Sequence, residues 1–171
     1  MILESQEKYL ASRPDKSIIT KPFDPKAQET GKEIVKKLEA VLPGLKIYFW
    51  GATAIGIAGQ NDIDIDIFST PKEYDLYRPV IEGIFGQPIK LGSSIRWEFK
   101  RNDFDVELFL TDKNSPFVLE QLKVFQLLSQ SQELRDEYQK LKLPYGQHDF
   151  KSYMRKKYEF FNKILDLTDE T

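Results

Sequence analysis

The sequence predicts an α/β (α+β) fold in which helices flank a mixed β-sheet and a helical region caps the C-terminal end. Three observations predict it. Apolar and polar residues alternate with a period of two at residues 62–67 and again at residues 104–108, as they do in half-buried strands. An amphipathic helical pattern lies between these segments, and a connecting helix lets two strands run parallel. From Pro116 onward the apolar residues recur at helical spacing.

The composition restricts the class of protein. A chain of 171 residues, 40% hydrophobic and 30% charged, is long enough for one well-cored domain and short for two. It has no cysteine, which excludes disulfides and thiolate metal sites and favours the cytoplasm. The single histidine, His148, excludes a multi-histidine site and is given no role. We expect no membrane span or export signal, and the net charge of −2 argues against broad nucleic-acid binding.

We predict three segments within one compact domain. They are an extended N-terminal arm at residues 1–28, a core at residues 29–112 and a C-terminal helical region at residues 113–171. Prolines interrupt any helical pattern in the arm. The first helix is expected from Glu29 to Leu42, where Pro43 and Gly44 end it.

Aspartates alternate with isoleucines along one predicted strand. Successive side chains point to opposite faces of a strand, so the isoleucines face a core and Asp62, Asp64 and Asp66 share the other face. Like-faced aspartates lie about 7 Å apart and repel each other by roughly 2 kcal/mol at an effective dielectric of about 20. A divalent cation removes that repulsion, because Mg²⁺ binds through one or two carboxylates plus substrate phosphates. The alternative is a solvated edge strand, although such a face usually mixes Lys, Thr and Glu.

Two further motifs accompany the aspartates. The small residues Gly51-Ala52-Thr53 end the preceding strand, and backbone N–H groups in such a turn form an anion site when a short helix follows; a plain tight turn is the alternative. The segment from Ser94 to Leu110 predicts a hairpin. Its second strand places Asp105 and Glu107 together on one face.

The ordered motifs resemble the nucleotidyltransferase superfamily and, within it, the GrpB-like family. A glycine at a strand end followed by Asp64-Ile65-Asp66 is the superfamily pattern. The family pattern is carried by Pro22-Phe23-Asp24-Pro25, Gly51-Ala52-Thr53, Ile63-Asp64-Ile65 and the helix from Tyr153 to Phe160. The resemblance extends from about Ile18 to Leu165.

The resemblance implies a nucleotidyltransferase-type sheet and a metal site. Asp64, Asp66 and Glu107 would be the catalytic residues and would bind Mg²⁺ or Mn²⁺, with Glu107 also a candidate general base. Asp105 is the second choice for the third carboxylate. Asp62 with Asp64 is the alternative pair.

The resemblance also implies the substrates. A nucleoside triphosphate would be held by Gly51, Ala52, Thr53 and Lys157. Family members usually have Ser where this chain has Ala52, so Thr53 is expected to supply the hydroxyl. Lysines that snorkel from an amphipathic helix are the alternative explanation for Lys157. The hydroxyl acceptor stays open between a small molecule, a protein and an RNA end. A noncatalytic nucleotide- or metal-binding module is the rival function.

Overall fold

A computed structural model describes residues 1–14, 16–143 and 149–169 of the chain, and His148 lies outside these residues. The strands are β1 (Lys46–Trp50), β2 (Ile63–Ser69), β3 (Ile95–Arg101) and β4 (Phe104–Asp112). The helices are α1 (Glu4–Ala11), α2 (Pro25–Val41), α3 (Gly51–Ala54), α4 (Tyr74–Phe85), α5 (Pro116–Gln130), α6 (Gln132–Lys142) and α7 (Phe150–Asp169), with a 3₁₀ turn at Pro71–Glu73.

The four strands form one mixed sheet in the order β1-β2-β4-β3. The central strands β2 and β4 are parallel, and each pairs with an antiparallel outer strand. The β3–β4 hairpin turns at Asn102 and Asp103, whose φ angles are 49° and 67°. Asn and Asp tolerate this left-handed conformation better than most residues. The predicted α/β fold and its mixed sheet are confirmed.

The two faces of the sheet have different partners. On one face, Ile63, Ile65 and Ile67 are fully buried in a cluster with residues of α2, α4 and the other strands. The opposite face carries the aspartates. On that face Trp50 and Phe68 pack against Val118 of α5, so the first C-terminal helix lies over the polar side of the sheet.

The C-terminal helices share a core with the turn that follows β1. The cluster contains residues of α3, α5, α6 and α7 together with Ile57: Ala52, Ile57, Val124, Leu128, Tyr138, Phe160 and Ile164. This packing fixes the helical region against the end of β1. Within the described part of the chain, no helix has both the length and the apolar character needed to cross a membrane.

The prediction of an extended arm is wrong for Glu4–Ala11, which form α1. This helix lies on α7, where Gln6 and Asn162 exchange side-chain hydrogen bonds of 3.1 and 2.9 Å. Leu10 is fully buried. Helix α2 also starts earlier than predicted, because Asp24 caps it by accepting from the N–H of Lys26. Proline at the first helical position begins this helix instead of interrupting it.

Candidate functional site

Gly51 begins the turn after β1 and lies against Asp64. Its φ is +76°, in the left-handed region that glycine enters without steric cost. A Cβ at this position would lie 2.9 Å from Oδ2 of Asp64. The sheet register creates the contact, since it pairs Trp50 with Asp64 across β1 and β2. Both the backbone conformation and the space therefore favour glycine here.

A cavity of about 770 Å³ lies between the aspartate face of the sheet and the C-terminal helices. We call it the first cavity. Four of the predicted site residues line it: Gly51, Asp64, Asp66 and Lys157. Much of the remaining wall is apolar and includes Phe109, Phe125, Leu128, Tyr138 and Phe161. Pockets that bind small molecules typically occupy about 300–1,000 Å³ and combine apolar walls with a few polar groups.

Burial makes the two aspartates of this cavity hard to ionise. It raises the pKa of Asp66 to about 7. The indole N–H of Trp50 opposes that shift, although its Nε1 has no partner in hydrogen-bonding geometry among the described residues. Burial also raises the pKa of Asp64 well above its usual range, and the charges of Asp62 and Glu107 add to the effect. Removing the charge from a carboxyl in a low-dielectric site is favourable unless a cation compensates it.

The donor set suits a hard cation. Asp64 and Asp66 make no ion pair within the described residues, and carboxylate oxygens are preferred ligands of Mg²⁺, which takes its other ligands from water and substrate phosphates. No three His, Cys, Asp or Glu side chains converge on one metal position in the part of the chain that the structure describes. The carboxylate pair alone is therefore the candidate ligand set.

Glu107 lies beside this pair but has another partner. The parallel register places it next to Asp64. Its Oε1 accepts a hydrogen bond of 2.8 Å from Nη2 of Arg96, and Arg96 also forms an ion pair with Glu98. The structure thus brings Glu107 next to the aspartates while engaging its carboxylate in a network on the neighbouring strands.

The remaining carboxylates line a second cavity of about 600 Å³. Asp62, Asp105 and Glu107 all contribute to its wall. Asp105 is exposed and forms an ion pair of 2.7 Å with Lys100. Because Asp62 faces this second cavity while Asp64 and Asp66 share the first, the geometry favours Asp64 with Asp66 over the alternative pair.

The other two residues of the predicted turn are buried. Ala52 is 7% exposed and Thr53 is 1% exposed. The Thr53 hydroxyl donates a hydrogen bond of 2.6 Å to the carbonyl oxygen of Asp62. This hydrogen bond connects α3 to the residue before β2. The Thr53 hydroxyl could donate to a phosphate only if the bond broke.

Sequence reasoning missed Lys142, near the C-terminal end of α6. It is 5% exposed, and its ammonium lies 4.5 Å from the ring centroid of Tyr138. A signal was available: Lys142 follows Tyr138 by four positions, so both lie on one face of the helix. That spacing alone does not show that the Lys142 ammonium is buried beside Gly59.

Gly51→Ala should destabilise the protein and disturb Asp64, whereas Gly44→Ala should only destabilise it. Both glycines have positive φ, but a Cβ at Gly44 has no atom within 4 Å. We expect each change to lower the free energy of unfolding by about 1–2 kcal/mol from backbone strain. Only Gly51→Ala should also shift the titration of Asp64, measured by ¹³C NMR of the aspartate carboxyls. Equal titration in both variants would contradict the contact.

Asp66→Asn should stabilise the metal-free protein at neutral and higher pH. Because its folded-state pKa of about 7 exceeds the unfolded value of about 3.9, this carboxyl contributes stability below about pH 4 that is lost as pH rises through about 7. Urea unfolding in EDTA should show the variant about 4 kcal/mol more stable than wild type at pH 8 and similar near pH 4.

The matched control for this experiment is Asp103→Asn, the same change at an exposed turn. It should keep the wild-type dependence of stability on pH. If Asp66→Asn is instead less stable than wild type at pH 8, the Asp66 carboxylate serves as a structural partner, and the site holds no uncompensated acid.

Comparison with known proteins agrees with the sequence motifs. The crystal structure of the conserved protein GrpB from Enterococcus faecalis is similar, with a TM-score of 0.60 and 17% identity over 86% of this chain and 99% of that chain. A structure of Cid1, a protein with RNA terminal uridylyl transferase activity, matches with a TM-score of 0.50 and 12% identity. No curated protein matches the sequence.

The structural matches and the family match support different conclusions. At such low identity both structures show the fold alone, and the match to Cid1 covers 82% of this chain but only 44% of the Cid1 chain. The sequence itself matches the family described as GrpB protein over residues 17–167. That range contains the whole sheet, the glycine turn and both aspartates of the first cavity. The resemblance predicted from the motifs is confirmed: the chain belongs to the GrpB family.

Proposed function

We propose that this protein is a metal-dependent nucleotidyltransferase. An acceptor hydroxyl oxygen attacks the α-phosphorus of a nucleoside triphosphate and forms a new P–O bond. The bond from that phosphorus to the bridging oxygen of the β-phosphate breaks, and pyrophosphate leaves with that oxygen. The hydroxyl proton passes to a carboxylate, for which Glu107 is the candidate. The acceptor is a small molecule, a protein hydroxyl or an RNA end.

One observation carries this proposal. Asp64 and Asp66, without ion-pair partners among the described residues, line a cavity of about 770 Å³ together with the Gly51 turn and Lys157. Two adjacent carboxylates in a partly buried site cost stability when both are ionised. Functional sites commonly contain acids whose pKa is shifted in this way. The fold is also similar to that of Cid1, which supports the proposal at the level of the fold.

Each residue has a role in the proposed reaction. Asp64 and Asp66 would hold Mg²⁺ or Mn²⁺, which when bound supplies charge stabilisation to the attacking and leaving oxygens of an in-line displacement. Gly51 leaves room for Asp64 and lets the backbone approach the substrate. Lys157 supplies a positive charge to the phosphates. Arg96 holds the Glu107 carboxylate next to Asp64.

A noncatalytic nucleotide- or metal-binding module is the second candidate. The observation that favours it is the ion pair between Arg96 and Glu107, since the Arg96 guanidinium already occupies Oε1 of the carboxylate that would take the proton. The buried Thr53 hydroxyl, which already donates to the Asp62 carbonyl, also favours the noncatalytic module. A lack of cysteine fits a reducing compartment, and we place either activity in the cytoplasm.

Glu107→Gln is the variant that separates the two candidates. Glutamine keeps an oxygen that can accept from Arg96, so the strand pairing should survive, but it cannot take a proton. We expect Mg²⁺-dependent nucleotide binding to persist and turnover to fall by about a hundredfold or more, the size of effect that general-base catalysis supplies. The measurement is pyrophosphate release from a panel of nucleoside triphosphates with mixed acceptors.

Asp105→Asn is the matched control, because Asp105 is two positions away on the same face of β4 and is exposed. It should keep most of the turnover. The binding-module function replaces the enzyme if wild type binds metal and nucleotide, releases no pyrophosphate with any acceptor, and Glu107→Gln binds equally well.

A further inference from the structure

The indole N–H of Trp50 is a buried donor without a hydrogen-bond acceptor in the described part of the chain. Trp50 is 8% exposed, and its side chain lies in the wall of the first cavity. A buried donor without a partner is uncommon in native structures, and a role in catalysis is one reason for it. The reaction described above gives this side chain no role.

Aromatic contacts fix the indole ring in one orientation. It stacks on Tyr48 at a centroid distance of 5.1 Å with 26° between the planes. It also lies 6.0 Å from the ring of Phe68 and meets Phe125 of α5 edge to face at 5.3 Å. Because neighbours on both the sheet and the helix hold the ring, its N–H keeps a defined position in the cavity wall.

Asp66 is the neighbour that can accept a hydrogen bond from this N–H. The antiparallel register pairs Trp50 with Asp64, so Asp66 is a diagonal neighbour on the same face, within reach of a large aromatic side chain. Both Trp50 and Asp66 line the first cavity. The indole N–H acts to lower the pKa of Asp66 while burial raises it, as expected of a donor beside the ionised carboxylate.

We propose that Trp50 is a positioning residue for the metal site, whose indole N–H donates to one oxygen of the Asp66 carboxylate while the other oxygen binds the cation. The inference rests on the proposed function and adds a residue to its metal site. An ionised carboxylate has two oxygens that can accept from different partners. A cation binds the ionised form, and a hydrogen bond to a charged acceptor is stronger than one to a neutral acceptor.

The first test measures Mn²⁺ affinity, by electron paramagnetic resonance of free Mn²⁺, and needs no turnover. Trp50→Phe should bind Mn²⁺ about tenfold or more weakly than wild type, since partners that orient a metal ligand commonly contribute about 10- to 100-fold in affinity. Replacing Trp50 with benzothienylalanine, in which sulfur takes the place of the N–H, keeps the shape of the ring. This variant should weaken Mn²⁺ binding to a similar extent.

Trp97→Phe is the matched control. Trp97 lies in the apolar cluster on the opposite face of the sheet, and its N–H donates a hydrogen bond of 3.0 Å to the carbonyl oxygen of Gly86. Its replacement removes an indole N–H that already has an acceptor. The control should therefore lose stability and keep the Mn²⁺ affinity of wild type.

The second test observes the indole N–H itself. The chain has two tryptophans, so its ¹H–¹⁵N spectrum contains two indole signals, which Trp50→Phe and Trp97→Phe assign. Adding Mg²⁺ should move the Trp50 signal downfield, as expected when its N–H donates to a charged carboxylate. The Trp97 signal should stay in place.

Two results would overturn the inference. One is a benzothienylalanine variant that binds Mn²⁺ as tightly as wild type, and this variant decides the matter if Trp50→Phe does not fold. The other is a Trp50 indole signal that Mg²⁺ leaves unchanged. In both cases wild type still binds the metal, so the proposed function stands. If wild type itself binds no Mn²⁺, the metal-dependent function and this inference fail together.

Discussion

The contact between Gly51 and Asp64 is the constraint on which the site depends. Antiparallel pairing of β1 with β2 places Trp50 opposite Asp64, so the residue after Trp50 must turn away at a position where a side chain would strike the carboxylate. Glycine satisfies the space and the positive φ together. The register of the two strands therefore sets the position of the turn relative to Asp64.

The helical region adds charge of the opposite sign to this site. The sheet presents carboxylates to the first cavity, and α7 presents Lys157 to the same space. Apolar contacts among α3, α5, α6 and α7 hold the two groups at a fixed separation. A polyphosphate with a bound cation matches such an arrangement, because it carries negative charge toward Lys157 and positive charge toward the aspartates.

Sequence periodicity predicted the sheet because the period-two pattern of β2 and the hairpin turn at Asn102 and Asp103 are local signals. It failed for α1, which has few apolar residues and packs against α7. The sequence also predicted which aspartates line the first cavity. It missed the burial of Lys142 and the ion pair between Arg96 and Glu107, since both depend on how separate elements meet in space.

Anomalous diffraction from crystals soaked with Mn²⁺ and a nonhydrolysable nucleoside triphosphate analogue would locate the metal relative to the aspartates. We expect one strong manganese peak within coordination distance of both Asp64 and Asp66 in the first cavity, with the α-phosphate beside the Gly51 turn. A peak held by Asp62 in the second cavity, or nucleotide bound with no manganese at the aspartate pair, would contradict this prediction.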